Sequence, residues 1–157
     1  MTTKADYTEA EWKTLYLAPI ACGFAVAMSD FGIVSSAIEG AAMGKELAQA
    51  SAIYPQNPLI QELFPASRDA TEQVKVSPSE LGENPQAAMD RATALVTEAM
   101  AILASKASSE IADYKSLCLS VADRVANAAG SGLFGSGTKV SPEEATAIEK
   151  LKATMAL

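Results

Sequence analysis

TLYLAPIACGFAVAMS, residues Thr14 to Ser29, is the longest stretch without a formal charge in a chain of 157 residues, and its reading decides the fold class. Just ahead of it, Thr8-Glu9-Ala10-Glu11 has the Ser/Thr-x-x-Glu form of a capping box. In that motif the threonine hydroxyl and the Glu11 carboxylate each take a backbone N–H that the first helical turn leaves unpaired. A helix therefore starts near Glu9, with Glu9 and Glu11 beside the positive end of its dipole. From Leu15 onward apolar or small residues occupy every face, which is the pattern of a helix surrounded by protein. Sixteen uncharged residues fall short of the roughly 20 apolar residues that span a bilayer, and Pro19 and Gly23 weaken that reading further. The stretch reads as a central core helix, with Phe24 and Val26 expected inside. Pro19 lacks the N–H that would bond the Leu15 carbonyl and crowds that carbonyl, which predicts a kink between them. Ala21, Gly23, Ala25 and Ala27 are small enough to let neighbouring helices come close.

The rest of the composition agrees with such a centre. Hydrophobic residues make up 49% of the chain, much of it alanine, and aromatic residues only 6%, which favours closely packed helices over a β-sandwich rich in valine, isoleucine and tyrosine. The expected class is all-α, with residues 1–157 forming a single helical domain, a compact bundle of five or six helices around the buried N-terminal one. A net charge of −7 repels phosphate backbones and anionic membrane surfaces, so no nucleic acid partner and no membrane span are expected. The N-terminus lacks the layout of a signal peptide, with Asp6, Glu9 and Glu11 ahead of the apolar run, and a cytoplasmic address is expected. Cys22 and Cys118 both sit in apolar helical surroundings and read as free, buried small hydrophobes rather than as a disulfide.

Downstream, Ser29-Asp30-Phe31-Gly32 reads as a turn, and a second helix is predicted from about Ile33 to Ala50. Its apolar side would be Ile33, Ala37, Ala41 and Leu47, with Val34, Ile38 and Met43 beside them. Gly40 and Gly44, four apart, are expected to mark a close crossing against the first helix, because a mid-helix glycine costs about 1 kcal/mol relative to alanine. Prolines at 55, 58, 65, 78 and 85 then break the pattern. Asn57-Pro58 reads as an N-cap followed by proline at the first helical position, giving a short helix from about Pro58 to Phe64. Residues 66–84 read as a long, weakly apolar connection, interrupted where Ser77-Pro78-Ser79-Glu80 has capping-box form. The clearest amphipathic stripe follows: Met89, Ala92, Val96, Ala99 and Leu103, widened by Leu95 and Ile102. A polar pause at Ser105 to Ser109 separates it from a second stripe of Ile111, Tyr114, Leu117, Cys118, Val121, Ala122 and Val125. That helix stops at Ala129-Gly130. A last one starts at Ser141-Pro142, with Ala145, Ile148, Leu151 and Met155 inward. KVSPSE at 75–80 and KVSPEE at 139–144 are two uses of one helix start, since the apolar registers after them do not match.

Chemistry is scarce. The chain has no histidine, which removes Ser-His and Cys-His nucleophile activation, the commonest general base and the commonest transition-metal ligand. The nearest thing to a carboxylate site for Mg²⁺ or Ca²⁺ is Glu80 with Glu83, and it reads as solvated charge in a loop. GSGLFGSGTK, residues 130–139, spells G-x-G-x-x-G, but it follows a helix end instead of a strand and has Thr before Lys, so it reads as a helix-to-helix link and not a nucleotide cradle. The carbonyls at the end of that helix present the wrong pole to a phosphate.

EWKTL at 11–15, YKSL at 114–117, VADRVANAA at 121–129, the glycine-rich link and then V-S-x-x-E at 140–144 resemble an uncharacterised family of small bacterial α-helical proteins. The resemblance implies the helical fold and no assigned activity. The Ser-Asp-x-Gly turn after an alanine-rich helix and the later VSPEE are also similar to TerB-like helical domains. Phe31 stands inside the Asp-Gly pair that those domains favour, so their acidic metal site does not carry over. The function expected is that of a protein-interaction or structural helical module without catalytic activity, with no catalytic residue, cofactor or metal, and with a homodimer or another protein as the partner classes left open. The alternatives are a binder of a small apolar ligand between helices and an enzyme of unknown type.

Overall fold

The computed structural model describes residues 3–30, 36–66, 76–129 and 140–157, without the side chains of 36–39 and 129. Helix α1 spans Glu9–Ser29 and starts as the capping box predicts: Glu11 N donates to Thr8 Oγ1 at 3.2 Å, and Thr8 N donates to the Glu11 carboxylate at 2.8 Å. Leu15, Leu17, Ala18, Ala21, Cys22, Ala25 and Val26 are closed off from solvent. Phe24 is a correction: it is only half-buried, as are Ala27 and Met28, because the enclosure of α1 is incomplete toward its C-terminal end. Pro19 lies within the helix, and the Leu15 carbonyl that it deprives of an N–H accepts a hydrogen bond at 2.6 Å from the buried Tyr114 hydroxyl. A tertiary contact thus supplies the partner that proline removes.

The two amphipathic stripes are α5 (Pro85–Lys106) and α6 (Ile111–Ala129), which flank α1. The polar pause falls between them, where Ser108–Glu110 makes a 3-10 turn. Lys106, at the end of α5, reaches Glu11 at the start of α1 at 2.7 Å, so these helices run antiparallel. Tyr114 meets Leu15, and Val121 and Val125 meet Gly23, so α6 runs parallel to α1. A Cβ on Gly23 would stand 2.9 Å from Val121 Cγ1 and from Met43 Sδ, which is the close approach expected of a small residue here.

Helix α2 (Ser36–Ile53) lies antiparallel on α6, with Glu46 beside Ser120 and Arg124. Its expected apolar side holds at Met43 and Leu47 and needs correcting at Ala41, which is exposed; Ala42, Glu46, Ala50 and Ser51 are the other covered positions. Gly40 and Gly44 mark no crossing either, since both are exposed and a Cβ on either would meet nothing within 4 Å. The predicted turn at 31–32 and the inward roles of Ile33, Val34, Ala37 and Ile38 lie outside what is described.

Short helices close the ends. α3 (Pro58–Leu63) is capped by Asn57, whose Oδ1 accepts from Ile60 N at 3.0 Å. α4 (Pro78–Leu81) forms at the second capping box, so Glu80 belongs to a helix and not to a loop. After it, Gly82 has φ 116°, and a Cβ there would lie 2.4 Å from Ala88 N, so only glycine lets the chain turn back against α5. α7 (Pro142–Thr154) buries Ile148, Leu151 and Met155 as expected, whereas Ala145 is exposed and Glu144 and Ala147 take the inward positions. All the described elements are helical, packed helix on helix. Among the described residues no helix is long and apolar enough to cross a membrane.

Candidate functional site

Glu46 is the residue around which polar chemistry gathers. It occupies an inward position of α2 and is 3% exposed. A buried carboxylate is tolerated only when its charge and lone pairs are met. Both conditions hold: Ser120 Oγ donates to Glu46 Oε1, and Arg124 Nε stands 3.0 Å from Oε2. Ser120 and Arg124 lie four residues apart on α6, so one helical turn offers both partners on the side that faces α2. The Arg124 side chain is nonetheless 62% exposed. Its Nε edge is tied to the buried carboxylate while most of the side chain stands in solvent.

Two open depressions adjoin this arginine. One, of about 510 Å³, runs over the outward face of α6 and is lined by Ser116, Leu119, Ser120, Asp123, Arg124 and Asn127. The other, of about 260 Å³, lies in the α2–α6 seam, with Lys45 and Glu46 on one wall and Arg124 and Asn127 on the other. Asn127 Nδ2 donates to the Asp123 carbonyl at 2.7 Å, which holds the amide against its own helix. The site offers an arginine fork, an ammonium and small hydroxyls around a shallow floor.

The residues singled out in the sequence do not converge here. Glu80 caps α4, accepting from Ser77 N at 3.0 Å, and pairs with Lys13 at 2.7 Å. The Lys13 contact first, and the Ser77 N–H second, pull its pKa down to about 2. It is a clamp between α4 and α1, and Glu83 takes no part in that clamp. Among the described residues no group of three or more His, Cys, Asp or Glu side chains could hold a metal ion. Cys22 and Cys118 are both free and buried, as expected, but the structure adds that they meet across the α1–α6 seam, where burial first and the Cys22 contact second push the Cys118 thiol well above its ordinary value. A thiol held protonated in that way is a poor nucleophile. The glycine-rich link at 130–139 lies outside the described residues.

Two further polar clusters serve packing. Asn57 Nδ2 donates to the Glu110 carbonyl and to Asp113 Oδ2, both at 3.3 Å, while Glu110 Oε2 accepts from Leu59 N at 3.0 Å, so the start of α3 is sewn to the start of α6. Tyr7 packs at a tilt against Trp12, with ring centroids 5.6 Å apart, under the Lys106 ammonium. Burial, helped by Glu110, pushes the Tyr7 phenol up to about 12. Sequence reasoning missed Glu46 and Glu110. The signal for Glu46 was a carboxylate three residues after Met43 and next to Leu47, on the side of α2 that apolar residues mark as inward.

Set beside known protein families, curated proteins and solved structures, the chain matches none of them.

Proposed function

We propose that this protein is a helical interaction module whose working surface is the outward face of α6 together with its seam against α2. The observation that supports the reading is the Glu46–Arg124 arrangement: a carboxylate is buried in a helix seam to hold an arginine that points into solvent. An internal pair serving only stability would enclose both partners, and replacing such a pair with apolar residues commonly stabilises. An exposed arginine whose orientation is fixed beforehand loses less freedom when a partner binds, which is how interface anchors gain affinity. The depressions beside it are open and partly polar, unlike the enclosed apolar cavity of about 300 Å³ or more that a small apolar ligand requires, so the ligand-binder reading draws less support. Among the described residues no metal-holding cluster lines either depression, and the Ser120–Glu46 contact there is taken up in holding Arg124, so the enzyme reading likewise draws less support.

The test is site-specific photocrosslinking. A photoreactive residue placed at exposed Ser116 on α6 is expected to give discrete protein adducts, whether to another protein or to a second copy, while one at exposed Thr97 on α5 gives none. Equal labelling from both positions, or none from Ser116, refutes the module.

A further inference from the structure

Helix α6 carries four charges, Asp113, Lys115, Asp123 and Arg124, and the fold engages two of them in part, with Asn57 on Asp113 Oδ2 and Glu46 on Arg124 Nε. Read forward the signs run minus, plus, minus, plus; read backward they run plus, minus, plus, minus. Each charge therefore meets its opposite when the helix is laid antiparallel on a copy of itself. Asp113 with Arg124 has its midpoint between residues 118 and 119, and Lys115 with Asp123 has its midpoint at 119. The two centres differ by half a residue, about 0.75 Å of helix rise. The angular placement is tight for one pair and looser for the other. Asp113 and Arg124 are eleven residues apart, close to three full turns, and lie on the α2 flank of the helix; Lys115 lies on the other flank, and Asp123, about 80° round from it, stands near the middle of the outward face, within reach of the long lysine side chain. A two-fold axis perpendicular to α6 brings each flank against its own counterpart.

The geometry points to a second copy of this chain as the partner of the α6 face, in an antiparallel, two-fold contact centred on Leu119. Asp113 of one copy pairs with Arg124 of the other, Lys115 pairs with Asp123, and symmetry doubles both pairs. The surface suits such a contact. Ser116 and Asn127 are exposed, Leu119 and Ser120 are half-buried, and these mostly short side chains floor the groove of about 510 Å³ over which a neighbouring helix would lie. Lys115 and Asp123 are in no ion pair among the described residues. Arg124 engages Glu46 through Nε, which leaves its terminal nitrogens for a second carboxylate. The net charge of −7 on each copy opposes association, but salt screens charges more than about 8 Å apart at physiological ionic strength, so the local pairs outweigh the distant repulsion.

The inference rests on the interaction-module reading and names its partner. Sedimentation equilibrium of the full chain over the micromolar range is expected to show a monomer–dimer equilibrium. Asp123→Lys and Lys115→Asp, each striking the contact twice, should weaken it by about tenfold or more, the equivalent of about 1.4 kcal/mol. Lys115→Asp combined with Asp123→Lys restores the opposite signs and should recover wild-type association. Circular dichroism checks that each variant is folded; Asp123 is exposed and Lys115 half-buried. As an independent readout, Leu119→Cys at the two-fold should give a covalent dimer on treatment with diamide, and Thr97→Cys on α5 should not. A wild-type chain that stays monomeric, single reversals that associate as well as wild type, or a charge swap that fails to rescue overturns the second copy as partner. If Ser116 still yields adducts to another protein in that case, the module stands and only its partner changes.

Discussion

Helix α6 has two seams, and they are built on opposite principles. Against α1 it sets Val121 and Val125 over Gly23, Cys118 against Cys22, and the Tyr114 hydroxyl on the carbonyl that Pro19 leaves unpaired. Against α2 it sets Ser120 and Arg124 on Glu46, with open depressions alongside. The first seam excludes water and gains from area and close fit, whereas the second keeps charge at the surface and gains from orientation. The difference teaches which side of the same helix is closed and which stays open. Val121, Val125, Cys118 and Tyr114 face α1, whereas Arg124 stands largely in solvent beside α2.

The largest effect that separates the seams is expected from Leu15→Ala, which opens a cavity in the wholly buried face of α1 and should cost about 2–5 kcal/mol in urea unfolding. A loss below that range would mean that α1 is not the packing centre. Tyr114→Phe leaves the Leu15 carbonyl buried without a donor and should cost about 1–3 kcal/mol. The glycines give a comparison of sign. Gly23→Ala meets Val121 and Met43 at 2.9 Å and should destabilise, by about 1 kcal/mol or somewhat more if the neighbours yield poorly. Gly44→Ala meets nothing within 4 Å and should stabilise by about 0.5–1 kcal/mol. If both substitutions moved the midpoint the same way, the contrast between a packed and an open helix face would collapse.

Arg124→Lys keeps a cation for the buried Glu46 carboxylate and should change stability by no more than about 1 kcal/mol, while it removes the guanidinium fork and abolishes the adducts from Ser116. A loss as large as that of Tyr114→Phe would place α2–α6 among the seams that hold the fold. The smallest effect is electrostatic and lies outside both seams. Glu80 has its folded pKa depressed to about 2 from an ordinary 4.5, so its contribution is present above the ordinary value and is lost as pH falls toward 2. Hydrogen exchange across α4 should therefore accelerate in that acid window, and Lys13→Met should remove much of the acceleration; an acceleration unchanged in Lys13→Met would assign it to other carboxylates.

Local chemistry explains how much of this was legible beforehand. Capping boxes at Thr8, Ser77 and Ser141 and the proline at the first position of α3, α4, α5 and α7 are interactions between residues at most three apart, so the chain declares them without its fold. The stripes of α5 and α6 were equally plain, since Met89 to Leu103 and Tyr114 to Val125 repeat at helical spacing and are buried throughout. The candidate site was not legible. Glu46 and Arg124 are far apart in sequence, and although Glu46 stands on the side of α2 marked inward by Met43 and Leu47, nothing local says that Arg124 meets it.

By itself the sequence determined the all-helical class, where most of the described helices begin and end, and which faces of α5 and α6 turn inward. All of these follow from hydrogen bonds and hydrophobic periodicity within a few turns of one chain segment. Tertiary structure alone decided that the Tyr114 hydroxyl compensates Pro19, that Gly23 is packed while Gly40 and Gly44 are open, and that Glu46 meets Arg124. Each of those depends on which two helix faces meet and in what register. That is a property of the packed bundle, since a glycine or a glutamate carries the same local signal whether or not another helix stands opposite it.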